Sequence, residues 1–183
     1  MGRNKIPFPN DKNAPVVITN QAYDEVKIKD ILLGTEFLGN QYLDTLIVIV
    51  PFISKYFVKV LAETNVKCLV LVINSDTYNP DYVNNAVKLL KYVKYKVIVR
   101  KRKKGTRFMH MKVMVPYLNL SGNIVDFCII TGSVNFTKQG ITISDEMLII
   151  LRDPWSIAQV QETVGELMRN TEIEFESSNY IQK

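Results

Sequence analysis

The sequence predicts an α/β protein with a mixed, largely parallel central sheet flanked by helices on both faces, and three observations carry that expectation. Residues 43–50 (LDTLIVIV) and 66–73 (VKCLVLVI) are nearly continuous aliphatic runs of strand length, as in strands covered on both faces. Between them, residues 54–64 (SKYFVKVLAET) space Phe57, Val58, Val60 and Leu61 along one helical face. After a second helical segment opened by Asn79-Pro80, with Val83, Ala86, Leu89, Leu90 and Val93 on one side, residues 94–101 (KYKVIVRK) return as a strand. Strands alternating with helices imply parallel neighbours joined by crossovers.

The remaining elements follow in order. Residues 1–14 are polar with two prolines and read as a flexible lead-in, leaving 15–183 as a single domain. Residues 16–19 suit a short first strand, and 21–40 fit a helix better than a strand. After Gly105 the rhythm changes. Residues 108–115 (FMHMKVMV) and 124–131 (IVDFCIIT) read as two strands of a hairpin with a long Pro- and Gly-containing loop. Residues 146–151 form another strand. Asp153-Pro154 starts a last helix running to about Arg169, with Ile157, Val160, Val164 and Leu167 inward.

Composition narrows the function classes. The chain has 183 residues, 47% of them hydrophobic and 22% charged, which is globular rather than disordered. Lys and Arg number 23 against 18 Asp and Glu, a net +5 that suits a polyanionic partner without demanding one. Cys68 and Cys128 both lie in apolar runs and read as small core residues, so neither a disulfide nor a metal site is expected. The first residues show no apolar secretory core, and the longest apolar stretch, 46–53, is too short to span a bilayer. A cytoplasmic protein without a membrane partner is the expectation.

The chain has one histidine. A lone histidine is more often structural than chemical, but strand alternation places His110, Lys112 and Met114 on one face of the 108–115 run. A lysine on an apolar face is costly to bury without a role. Two residues of strand separate His110 and Lys112 by roughly 6–7 Å, so both can approach one phosphate. A second polar group follows at residues 131–137 (TGSVNFT): a strand ends, Gly132 permits a tight turn, and Ser133 and Asn135 supply short polar side chains.

The ordered set His110-Met111-Lys112, then Gly132-Ser133-Val134-Asn135-Phe136-Thr137, then Glu146 eleven residues after Asn135, resembles the phospholipase D superfamily. The closest likeness is to its small nucleases that carry one copy of the motif. The resemblance implies a phospholipase D-like fold and a phosphodiesterase needing neither metal nor cofactor. One histidine would attack phosphorus and a second would protonate the leaving oxygen. Lys112 and Asn135 would bind the non-bridging oxygens, Ser133 would add a hydrogen bond, and Glu146 would orient an imidazole. With one histidine per chain, the implied site needs a homodimer. The sequence departs from the family pattern at Tyr117, where an Asp is usual; Asp126 is the nearest acid after it.

Six of the eight residues 100–107 are basic: Arg100, Lys101, Arg102, Lys103, Lys104 and Arg107. Most such runs are solvated loops. Directly before the strand that bears His110, this one suits a nucleic-acid backbone, with little sequence preference and no choice between DNA and RNA. Two alternatives stand beside the nuclease: a weak or inactive nucleic-acid-binding module of the same fold, and a phospholipid phosphodiesterase.

Overall fold

The computed structural model describes residues 14–19, 43–62, 66–74, 94–100, 110–120, 123–126, 128–142, 145–169 and 173–179. The lead-in to residue 13, the helices expected at 21–40 and from Asn79, and the basic run after Arg100 lie outside them.

Among the described residues nine strands form one sheet. They are β1 (Val16–Thr19), β2 (Leu43–Ile49), β3 (Val66–Asn74), β4 (Lys94–Arg100), β5 (Val113–Leu120), β6 (Asn123–Asp126), β7 (Ile129–Gly132), β8 (Met147–Leu151) and β9 (Ile173–Asn179). Three helices accompany them: α1 (Lys55–Ala62), α2 (Lys138–Thr142) and α3 (Pro154–Arg169). The strand order is β1-β8-β7-β5-β2-β3-β4-β9, with β6 paired to β5.

The sheet is mixed but mostly antiparallel, not largely parallel. Only β2–β3 and β3–β4 pair in parallel; the other six pairings are antiparallel. The reason lies in the connections. The helix α1 joins the parallel pair β2 and β3, whereas the connections from β5 through β8 bring each strand back in the opposite direction.

The long hairpin loop also resolves differently. Its first half continues β5 to Leu120, and the expected return strand is two strands. In β6, Asp126 to Asn123 pair with Tyr117 to Leu120, while β7 pairs with Val113 and Met114 further along. Pro116, which has no N–H to give a ladder, falls between those two pairings. The polar strand β9, lacking an apolar run, has no counterpart in the sequence reading and closes the sheet against β4.

Alternation divides the core in two. On one face Ile49, Val72, Ile98, Val113, Val115 and Ile129 cluster with Ile157 and Val164 of α3, joined by Val160 and Leu167. The four inward positions of α3 are thus those its spacing predicts. Asp153 caps this helix, its carboxylate accepting from Ser156 N–H at 2.8 Å. The intervening positions Leu46, Val48, Leu69, Leu71, Met114 and Ile130 are equally buried and look to the other face. There α1 contributes Phe57, Val58, Val60 and Leu61, with Ser54 as its cap. Cys128 is a core residue whose thiol burial pushes up to about 12, an inert group, while Cys68 is only half-buried.

Candidate active site

His110 and Lys112 lie just before β5, whose first residue Val113 pairs with Ile49 at the end of β2 and Thr131 near the end of β7. They therefore sit at the sheet edge where the parallel strands finish, the usual ligand edge of an open α/β sheet. The alternation holds: Met111 packs toward the α3 cluster, whereas Lys112 is 4% exposed on the opposite side and His110 is exposed.

The Lys112 side chain turns back along the strand. Its Nζ stands 3.0 Å from Nδ1 and 3.1 Å from Nε2 of His110, and 3.4 Å from the His110 carbonyl oxygen. An ammonium can only donate, so it meets whichever ring nitrogen carries the lone pair. Burial lowers the Lys112 pKa from the ordinary lysine range, and the negative charge of Glu146 pulls it partly back. Thr131, whose Oγ1 donates to the Lys112 carbonyl at 3.0 Å, ties this segment to β7.

The opposite wall is built by a period of two. Val134 and Phe136 are buried, so Ser133, Asn135 and Thr137 face outward between them. Phe136 anchors the wall: its ring stacks on Phe57 with centroids 4.6 Å apart, and its carbonyl accepts from Ser54 N–H at 3.1 Å. Gly132 makes the turn, at φ 151°, a conformation glycine favours. A Cβ there would lie 2.0 Å from the Met147 carbonyl oxygen. Gly140 in turn lets α2 close on the Asn135 carbonyl, which a Cβ would approach to 2.3 Å. Thr137 caps α2 by accepting from Gly140 N–H at 3.0 Å.

Ser133 and Glu146 are joined. The Ser133 hydroxyl donates to Glu146 Oε2 at 2.5 Å and accepts from Met147 N–H at 3.0 Å, while Ser133 N–H donates to the Met147 carbonyl. With its single proton committed to the carboxylate, Ser133 holds Glu146 in place beside the Lys112 charge. Asn135 Oδ1 is buried without a hydrogen-bond partner, a cost that structures tend to carry at functional positions. Phe52, Asn135, Thr137, Gln139, Gly140 and Glu146 line a cavity of about 300 Å³. Of these, Phe52, Gln139 and Gly140 are not among the sequence candidates and Thr137 enters only as the last residue of the motif; the available signal is that Phe52 follows the end of the buried strand β2 by three residues.

Tyr117 and Asp126 are elsewhere. They are direct partners in the β5–β6 ladder, and Tyr117 packs half-buried against the α3 cluster. Five strand residues put Tyr117 roughly 16 Å from Lys112 along β5. Tyrosine at this position therefore bears on packing, not on the groups that surround His110. Arg100 ends β4 opposite Asn74 at the same sheet edge as the site, two strand spacings or roughly 10 Å from β2. Lys101, Arg102, Lys103, Lys104 and Arg107 lie outside the described residues. Among those described, no three His, Cys, Asp or Glu side chains gather as metal ligands, and no helix is long and apolar enough to cross a membrane.

This site sits on a recognised family scaffold. The family model described as "Cardiolipin synthase, PLD-like domain" matches residues 43–168, which span every site residue named above. The chain belongs to the phospholipase D-like domain family. Among solved structures it resembles NucT from Helicobacter pylori, at 16% identity and TM-score 0.61, covering 88% of this chain and 99% of that one. It also resembles Nuc from Salmonella typhimurium, a phospholipase D family member, at 15% identity and TM-score 0.58, covering 87% and 98%. Yeast tyrosyl-DNA phosphodiesterase shares the fold at 16% identity and TM-score 0.54, over 81% of this chain but 36% of the larger one. No curated protein matches the chain in sequence.

Proposed function

We propose that this chain is a metal-independent nuclease that hydrolyses phosphodiester bonds of DNA or RNA through a phosphohistidine, with one active site shared by two copies. The observation that carries the reading is the His110–Lys112 contact at the carboxyl edge of the sheet, where a buried ammonium meets the ring nitrogens of an exposed imidazole. Burying such a cation is unfavourable, Glu146 offsets only part of that cost, and a phosphoryl oxygen arriving at His110 would offset more.

In the first step a ring nitrogen of His110 attacks phosphorus, and the P–O bond to the leaving strand breaks. The departing oxygen takes its proton from His110 of the second copy, acting as general acid. Water then attacks the phosphohistidine, giving up a proton to that second imidazole and releasing a phosphomonoester end. Lys112 and Asn135 bind the non-bridging oxygens, and Ser133 positions Glu146 to orient imidazole. The basic residues from Arg100 to Arg107 favour a polyanionic chain over a single lipid headgroup. The shared fold of a phosphodiesterase that acts on tyrosyl-DNA is in keeping with phosphodiester chemistry at this edge.

Cleavage of single- and double-stranded DNA and of RNA in the presence of a chelator tests this reading. Activity that survives chelation and disappears in His110→Ala supports it; equal cleavage by the variant refutes it. Nucleic acid bound but never cut selects a binding module, and hydrolysis of phosphatidyl lipids alone selects a lipid phosphodiesterase. Sedimentation showing only monomer at working concentration removes the shared site. In a shared site, excess His110→Ala chain also depresses wild-type activity by forming mixed dimers.

A further inference from the structure

We infer that the cavity between Phe52 and Glu146, the carboxylate that acts on the Lys112 charge, is a subsite for one unpaired nucleotide, with Phe52 as the ring on which its base stacks. The inference rests on the nuclease reading and adds to it a preference for single strands. Three observations converge. Phe52 is 40% exposed, one of few large apolar side chains of the described residues left open to solvent. Its position is nevertheless fixed. Pro51 before it is buried, Ile53 after it bridges to Phe136, and Ser54 N–H donates to the Phe136 carbonyl, with Phe136 itself stacked on Phe57. An aromatic side chain presented to solvent from a braced backbone is a contact surface rather than a loose end.

The second observation is the chemistry of the lining. Asn135 and Glu146 form the end shared with the reaction centre, Thr137 and Gln139 offer further hydrogen-bonding groups, and no described lining residue is basic. The phosphate is therefore met at the Lys112 end and not along the rest of the cavity. The cavity is suited to the uncharged part of the substrate. The third is size: about 300 Å³ is at the small end of the roughly 300–1,000 Å³ of ligand pockets, which admits one base and its sugar rather than a run of them. A duplexed base keeps its faces in the stack, and entering such a cavity would require unpairing it. A single-stranded base has its face available, and stacking on an aromatic ring tolerates any base identity.

The test compares three ligands of matched length: a base-bearing single strand, an abasic single strand and a hairpin duplex. Binding is read by fluorescence anisotropy in a His110→Ala background, where the strand stays intact, alone and combined with Phe52→Ala or Phe52→Tyr. Cleavage of the same ligands is read with His110 present. The base-bearing single strand should bind best. Phe52→Ala should weaken it about tenfold more than it weakens the abasic strand, the worth of one stacked base. Phe52→Tyr, which keeps the ring, should restore the difference. Equal losses on base-bearing and abasic strands overturn the subsite, as does a wild-type protein that treats duplex and single strand alike. His110-dependent cleavage without a Phe52 effect sinks the subsite alone. A Phe52 effect on binding with no His110-dependent cleavage sinks the nuclease reading alone. Binding to phosphatidylglycerol vesicles but to no nucleic acid overturns both.

Discussion

Strands β2, β3 and β4 run parallel and contribute chiefly packing, whereas β5, β7 and β8 run antiparallel and bear nearly every polar group of the site. The difference follows from chain direction. In the parallel set only carboxyl ends reach the site edge, where Phe52 follows β2 and Arg100 ends β4. In the antiparallel set alternate ends reach it: His110 and Lys112 enter β5, Ser133 and Asn135 leave β7, and Glu146 enters β8. His110, Lys112, Ser133, Asn135 and Glu146 thus reach one edge from a short stretch of sequence, and a long helix, α3, packs on the sheet beneath them. Under the proposed function one half supplies stability and the other chemistry, so substitutions in the two halves should separate these properties.

The largest effect should come from His110→Ala. Removing the proposed nucleophile should lower kcat for strand cleavage by about 10⁴-fold or more, as measured losses of nucleophiles in covalent catalysis suggest. Because His110 is exposed, the melting temperature should stay close to that of wild type. A large fall in thermal stability would mean that His110 is structural and would break the contrast.

Lys112→Met should come second, with a loss of about 10²–10³-fold in kcat through lost stabilisation of transition-state charge. Stability should be unchanged or higher, since a buried ammonium gives way to an apolar chain of similar length. The pH dependence sharpens this. Burial holds the Lys112 pKa below the ordinary 10.5. Between its folded value and 10.5 the unfolded chain keeps a proton that the folded chain has lost, so wild-type stability gains from this group as pH rises through that window. Denaturant titrations at several alkaline pH values should show this gain in wild type and not in Lys112→Met. A gain that persists in the variant assigns it to another group.

In the parallel half the pattern should reverse. Leu69 is 1% exposed in β3, and Leu69→Ala should cost about 2–5 kcal/mol in urea unfolding. Cleavage per folded molecule should change little. A loss of activity comparable to that of Lys112→Met would show that the two halves are coupled more tightly than the packing implies.

How far the sequence foretells this division depends on whether a feature is local. The aliphatic runs of β2 and β3 and the spacing of Ile157, Val160, Val164 and Leu167 on α3 are local patterns, and their burial follows directly. Strand direction is not local, because an apolar strand reads the same in either ladder; hence the expected parallel sheet proved mostly antiparallel. The extension of β5 through Pro116 carries turn-forming residues and reads as a loop until Tyr117 to Leu120 find β6. The hydroxyl–carboxylate contact of Ser133 and Glu146 depends on β7–β8 register across thirteen residues. His110, Lys112 and Asn135 were recognisable as a set because ordered motif residues survive without knowledge of the fold. The aromatic at Phe52 was not, since one phenylalanine after a strand has no pattern of its own.

The smallest effect tests α3, the element that both halves share. Asp153 accepts from Ser156 N–H, and hydrogen bonds from Ser156 lower its pKa below the ordinary 3.8 of an aspartate. Its ionised form is therefore favoured in the folded chain. The contribution is complete above 3.8 and is lost as pH falls toward the depressed folded value. Asp153→Ala should lower the melting temperature slightly at neutral pH, through loss of the cap, with cleavage unaffected. Below 3.8 the melting temperatures of variant and wild type should converge. If the gap stays constant into acid, the cap acts through geometry alone and the carboxylate charge contributes nothing to holding α3 under the site.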